Sequence, residues 1–135
     1  MKKNPTKPIE PSIAKIYFEK AKDFYESMQT SYDNKKWNTV GLTAVHCAIS
    51  LSDALLAHFG GVRNTNQDHK SAGKLLKNYI KDKSINNQEK HLTKIISKKN
   101  LIEYEGRIFI QKDAEEIKKQ AERFFDWTKS LLQFK

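Results

Sequence analysis

The sequence has one cysteine, five glycines and three prolines in 135 residues, and each scarcity excludes something. Cys47 has no intrachain partner, which rules out a disulfide scaffold and makes a reducing, cytoplasmic location the default expectation. So few Gly and Pro leave little room for the frequent turns of an all-β fold. No run approaches about 18 uninterrupted apolar residues, so no membrane association is expected. Met1, Lys2 and Lys3 look like a charged leader, yet Asn4-Pro5-Thr6-Lys7-Pro8 stands where an apolar signal core would follow. Gly60-Gly61 lacks the spacing and the following Lys-Ser/Thr of a phosphate-binding loop. There is no His-Glu-x-x-His, and His58, His69 and His91 follow no ligand spacing, so neither metal nor cofactor is expected.

What is present is a charged, helix-forming chain. Apolar residues make up 38% and charged residues 30%, a composition for one globular domain with a single core. The net charge of +9 speaks of partners rather than of fold. Residues 63–111 carry 11 Lys+Arg against 5 Asp+Glu, a net of +6, while the flanking stretches are close to balanced. The positive excess therefore starts at Arg63.

Apolar spacing predicts four long helices. Ile13, Tyr17, Ala21, Phe24 and Met28 recur at helical steps after Pro11, with Ser12 as the expected N-cap. The polar run Thr30 to Asn38 reads as the first loop, with Trp37 tucked back onto the bundle. Thr39 to Phe59 is apolar around most of its circumference, so it is expected to be covered on more than one side and to end at Gly60-Gly61. On this helix His46 and Asp53 share a face and are expected to satisfy each other or a neighbouring helix. Cys47 reads as a small core residue, since adjacent helical residues do not face each other and His46 is no partner for it.

His69 to Asp82 predicts a third helix, with Ala72, Leu75, Leu76, Tyr79 and Ile80 inward and Lys70, Lys74, Lys77 and Lys81 in one outward row. A second row, Lys90, Lys94 and Lys98, lies on the segment whose buried side is Leu92, Ile95 and Ile96. Arg107-Ile108-Phe109-Ile110 is the one stretch with any strand character. The last helix is expected from Asp113 to Leu132, its early Asp113, Glu115 and Glu116 suiting the helix dipole. The expected architecture is an all-α four-helix up-and-down bundle with the third helix broken in two. Residues 1–11 form a tail and 12–134 one domain, with Leu51, Leu55, Leu75, Phe124 and Leu131 in the core.

The stretch "AVHCAISLSDALLAHFGGVRNTNQDHKSAGKLL" resembles the second and third helices of HEPN domains. There an apolar helix with a His and a small-residue face leads through a Gly turn to a His and a Leu-Leu pair. "KKNLIEYEGR" and "KDAEEIKKQAERFFDWTKSLL" are similar to the segment before and within the family's closing helix, with Lys99 preceding the acidic-Tyr pair Glu103-Tyr104. The resemblance covers about residues 12 to 134. It implies a helical bundle that dimerises and acts in one of two ways. One is a regulatory module in a toxin–antitoxin or defence setting that engages RNA, a nucleotide or a nucleotidyltransferase partner protein. The other is a metal-independent ribonuclease.

The ribonuclease members carry an Arg, four to six residues, then a His. Arg63-Asn64 and His69 satisfy that pattern, although they lie between the second and third helices and not near the closing helix. At that late position Arg107 is followed by no histidine. Metal-free cleavage of RNA uses the 2′-hydroxyl as nucleophile. His69, with a pKa in the working range, suits proton transfer; the Arg63 fork suits a phosphate; Asn64 suits orientation of either. The alternative is that Asp68-His69 merely starts a helix and Arg63 is solvated. Lys70, Lys74, Lys77, Lys81, Lys90, Lys94 and Lys98 are the candidate nucleic-acid contacts, or simply a solvated face.

Overall fold

In the computed structural model, residues 6–66, 69–105 and 108–133 are described, together with all their side chains but that of Lys70. Helix α1 (Ala14–Asp33) is antiparallel to α2 (Trp37–Gly60). The third arm is broken into α3 (Ala72–Tyr79), α4 (Ile85–Ser97) and a short α5 (Lys99–Tyr104), and α6 (Gln111–Leu132) closes the bundle. Cross-helix hydrogen bonds set the directions. Ser84 meets Trp127 and His91 meets Gln120, so α4 and α6 are antiparallel. Gln29 meets Glu122 and Tyr32 meets Glu115, so α1 and α6 are antiparallel too. This is an all-α up-and-down bundle with its third arm broken.

The arms assemble around α2. Val40, Ala44, Cys47, Ala48, Leu51, Ala54, Leu55, Leu56 and Ala57 are completely buried. Thr43, Ser50 and Ser52 are buried as well, and the Thr43 hydroxyl donates to the Thr39 carbonyl one turn back at 2.7 Å. By length and composition α2 is apolar enough to cross a membrane, but 67% of that stretch is buried inside the bundle. Small residues let neighbours approach closely. A Cβ on Gly41 would lie 2.8 Å from the Phe109 ring, which is how the segment before α6 settles onto α2. Gly61, at φ 59°, ends α2 in the left-handed conformation that glycine adopts without penalty.

Several boundaries differ from those the sequence suggests. Ser12 does not cap α1; it lies in a 3-10 turn, Pro11–Ile13, which runs straight into the helix. The inward face of α1 is turned toward Ala14, Phe18, Ala21 and Met28, because Phe18 and Tyr25 stack on Phe125 of α6 at 5.6 and 4.1 Å. Tyr17 and Phe24 are left half-buried. The first loop shrinks to residues 34–36. Lys35 there takes φ 59° to reverse the chain, and Trp37 packs edge-on against Tyr32 at 5.3 Å.

Helix α3 stops at Tyr79 rather than Asp82. Ile80 turns extended to bury its side chain, and Asp82 Oδ1 accepts from the Ser84 N–H at 2.9 Å and from its hydroxyl at 2.7 Å. Trp127 Nε1 donates to the same Ser84 hydroxyl oxygen at 2.7 Å, clasping the break to α6. α6 starts at Gln111, earlier than Asp113, because Asp113 accepts from the Ile110 N–H at 3.0 Å and so caps the preceding turn. Leu131 is half-buried at the rim, whereas Leu51, Leu55, Leu75 and Phe124 are in the core. Ile108, Phe109 and Ile110 form no strand, and Arg107 lies outside the described residues.

A two-strand ribbon does form elsewhere. Thr6–Pro8 (β1) pairs antiparallel with Val62–Asn64 (β2), with Lys7 opposite Arg63 and Thr6 opposite Asn64. Part of the stretch expected as a tail is thus built into the domain. Ile9 N–H extends the ribbon to the Gly61 carbonyl at 2.9 Å.

Leu51, fully buried at the centre of α2, should lose about 2–5 kcal/mol of stability on replacement by Ala. Gly41→Ala should cost about 1–3 kcal/mol through displacement of the Phe109 ring. Urea unfolding followed by far-UV circular dichroism measures both.

Candidate functional site

Arg63 and His69 flank the turn that joins the ribbon to the third arm. Arg63 is exposed on β2, anchored by the pairing with β1. Asn64 Oδ1 accepts from the Asn66 N–H at 2.9 Å, an Asx turn that directs the chain toward α3. Asn66 Nδ2 reaches the Ser71 hydroxyl at 3.4 Å, and His69 opens the 3-10 turn His69–Ser71 ahead of α3. Asn64 therefore has a local structural use, holding the turn between the two candidate groups. Asp68 lies outside the described residues.

Beneath this corner is Asp53, a residue sequence spacing paired with His46. Of the two arrangements expected, each residue meets a neighbouring helix: His46 stacks on Phe24 of α1 at 5.3 Å, and the Asp53 carboxyl lies in the positive field of Lys20 of α1 and of Arg63 on the ribbon. Burial pushes the Asp53 carboxyl up to about 6, and the positive charges of Arg63 and Lys20 only partly offset this. Positive charge from α1 and from the ribbon is thus brought near a carboxyl of α2. No sequence signal pointed to Arg63 as the partner, since a Gly turn and ten positions separate the two.

The two lysine rows fare differently. The row expected from Lys70 to Lys81 does not persist, because α3 ends at Tyr79; Lys81 lies past the helix with Nζ 3.4 Å from the Asn78 carbonyl. Lys77 forms an ion pair with Glu89 of α4, so its charge is matched across the α3–α4 contact. Lys74 is exposed on α3, and the Lys70 side chain lies outside the described residues. The second row holds: Lys90 and Lys94 are exposed on α4, and Lys98 continues it in helical conformation at the C-cap. Lys99 turns away, paired with Glu103 at 3.1 Å and lying 5.9 Å from the centre of the Tyr104 ring.

Lys94 and Lys98 border a cavity of about 260 Å³ between α4 and α6. Ile95, Phe109 and Ile117 form its apolar wall, and Asp113, Glu116 and Gln120 its polar one. Gln120 is held by its hydrogen bond to His91 Nδ1. On the other side of Phe109 an open groove of about 360 Å³ is lined by Lys35, Lys36, Trp37, Asn38, Thr39 and Ile108. Neither concavity was visible in the sequence, although Lys35-Lys36-Trp37 is a basic-aromatic run. The described residues include no cluster of His, Cys, Asp or Glu able to hold a metal ion. Cys47 is buried and its thiol is pushed up to about 12, which leaves it no nucleophilic character.

An all-α bundle with a broken third arm and a basic α4 defines the class: a small helical domain with an Arg-x5-His corner. The HEPN domain family model matches residues 14–131, nearly the whole chain, and the protein belongs to the HEPN domain family. Neither curated proteins nor solved structures gave a match.

The Asp53 shift carries a sign for stability. The native carboxyl keeps its proton up to about 6 where the ordinary value is 3.8, so the native state binds more protons between those limits. Stability therefore falls as pH rises from 3.8 to about 6, and the penalty is complete above that. Asp53→Asn should stabilise the protein near neutral pH by about 2 kcal/mol, its partial exposure allowed for. The gain should vanish as the pH falls toward 4, as read from urea unfolding of both proteins across that range.

Proposed function

We propose that this HEPN domain is a binding module for RNA or a nucleotide, engaging phosphates through the exposed row Lys90, Lys94 and Lys98. The observation that carries the reading is that this row persists on one face of α4, while in the α3 row Lys77 is paired with Glu89 and Lys81 lies past the helix. It lies within the stretch 63–111 that holds +6 of the chain's +9 charge, the footprint of a polyanion partner. On this reading the domain serves a toxin–antitoxin or defence setting as a homodimer, with a nucleotidyltransferase as its partner protein.

A second reading, a metal-independent endoribonuclease, is favoured by one feature: Arg63 is anchored on a paired strand and an Asx turn leads from it toward His69. In that mechanism the Arg63 guanidinium holds the scissile phosphate and His69 moves the proton of the 2′-hydroxyl or of the leaving oxygen. The Asp53 carboxyl adds negative charge near the Arg63 guanidinium.

Binding of single-stranded RNA should weaken with salt, log K falling by about 0.7 per decade of salt for each phosphate neutralised. Lys90→Glu with Lys94→Glu should lower the affinity with no change in helical signal, and a salt-insensitive or absent interaction would retire the nucleic-acid role. Incubating RNA in EDTA with the wild type, His69→Ala and Arg63→Ala separates the two readings. Cleavage by the wild type alone establishes the enzyme, and cleavage by none leaves the binding module.

A further inference from the structure

Among the described residues six large apolar side chains stay exposed, and three of them lie close in sequence, at the end of α5 and just before α6: Tyr104 at 75%, Ile108 at 70% and Ile110 at 59%. Exposed apolar groups gathered in one short segment mark a contact surface more often than chance placement. Ile108 and Ile110 flank Phe109, which is buried and held in place because its N–H donates to Asn38 Oδ1 at 2.8 Å. The ridge is thus fixed to the start of α2.

Phe109 forms part of the wall of both concavities described above. On one side Lys94 and Lys98 border the cavity; on the other Lys35 and Lys36 border the groove beside Trp37. Lysines therefore stand at both ends of an apolar ridge. Asp113 and Glu116 line the cavity together with Lys94 and Lys98, so its interior suits an uncharged planar group, and a phosphate suits the exposed outer side of the two lysines. The Lys35-Lys36 end has no carboxylate among its lining residues.

We propose that Lys94 and Lys98, the Ile108–Ile110 ridge, and Lys35, Lys36 and Trp37 form one continuous track for single-stranded RNA. Its phosphates lie on the lysines and its unstacked bases against Phe109's cavity, Ile108 and Trp37. Single strands present apolar base faces and a charged backbone together, which is the combination this surface offers; a duplex hides the faces. Charge complementarity selects RNA over an apolar protein partner. The inference rests on the nucleic-acid reading of the domain and extends it from α4 to the α1–α2 turn, a region outside the charge-rich middle of the chain.

The test is fluorescence anisotropy of the full chain with a labelled mixed-sequence RNA of about 12 nucleotides, single-stranded and annealed to its complement. The single strand should bind about tenfold or more tightly than the duplex. Lys94→Glu with Lys98→Glu, Lys35→Glu with Lys36→Glu, and Ile108→Asp should each weaken it by about tenfold or more, with helical circular dichroism unchanged. If the α4 pair matters and the Lys35/Lys36 pair does not, the track is wrong while the binding module stands. Equal affinity for the duplex removes the base contacts and overturns the track as well. If Ile108→Asp changes the sedimenting mass and leaves RNA affinity intact, the ridge is a protein interface instead. No binding by the wild type overturns both the track and the nucleic-acid reading beneath it.

Discussion

Every other element takes its place from the burial of α2. A 24-residue helix with completely buried aliphatic side chains on several sides needs neighbours all around it. α1, α6 and the broken third arm supply them, and the ribbon covers its C-terminal end. Gly41, Ala44, Ala48, Ala54 and Ala57 make close approach possible. Larger side chains at these positions would hold the surrounding arms apart, while the aromatic pairs of α1 and α6 fill the outer layer.

The same constraint shapes the surface. Because α2 takes most of the apolar contact, the outer faces of α4 and of the connections are free to carry charge. Lys77 and Glu89 show the limit of reading charge from a helical wheel: a lysine on the outward side of α3 is still within reach of the next helix. Lys90, Lys94 and Lys98 stay exposed, the last two at the rim of the α4–α6 cavity. The Arg63 corner depends on α2 in a different way, since Asp53 of α2 places a half-buried carboxyl in the field of Arg63 and Lys20.

Much of the fold was legible. The periodic apolar positions of α2 and α6, the Gly61 stop and the break in the third arm follow from local rules: helical spacing, glycine in the left-handed region and polar residues in a turn. Boundaries were misplaced where a side chain was recruited by a distant partner. Ile80 left its helix to be buried, and Ser84 was held by Trp127 from 43 positions away. The ribbon escaped notice because three-residue strands have no periodicity to detect and Thr6–Pro8 reads only as part of a proline-containing tail.

The sequence by itself determined the all-α class, the central place of α2, the family resemblance and the location of the positive excess, because each of these is written in composition or in spacing along one helix. Tertiary structure decided which charges remain available and which groups meet. Asp53 comes near Arg63 and Lys20, Lys77 is matched by Glu89, and Phe109 comes to stand between a cavity and a groove drawn from distant parts of the chain. Such pairings depend on distances between helices. Those distances are set by the packing of the core, and no local pattern encodes them.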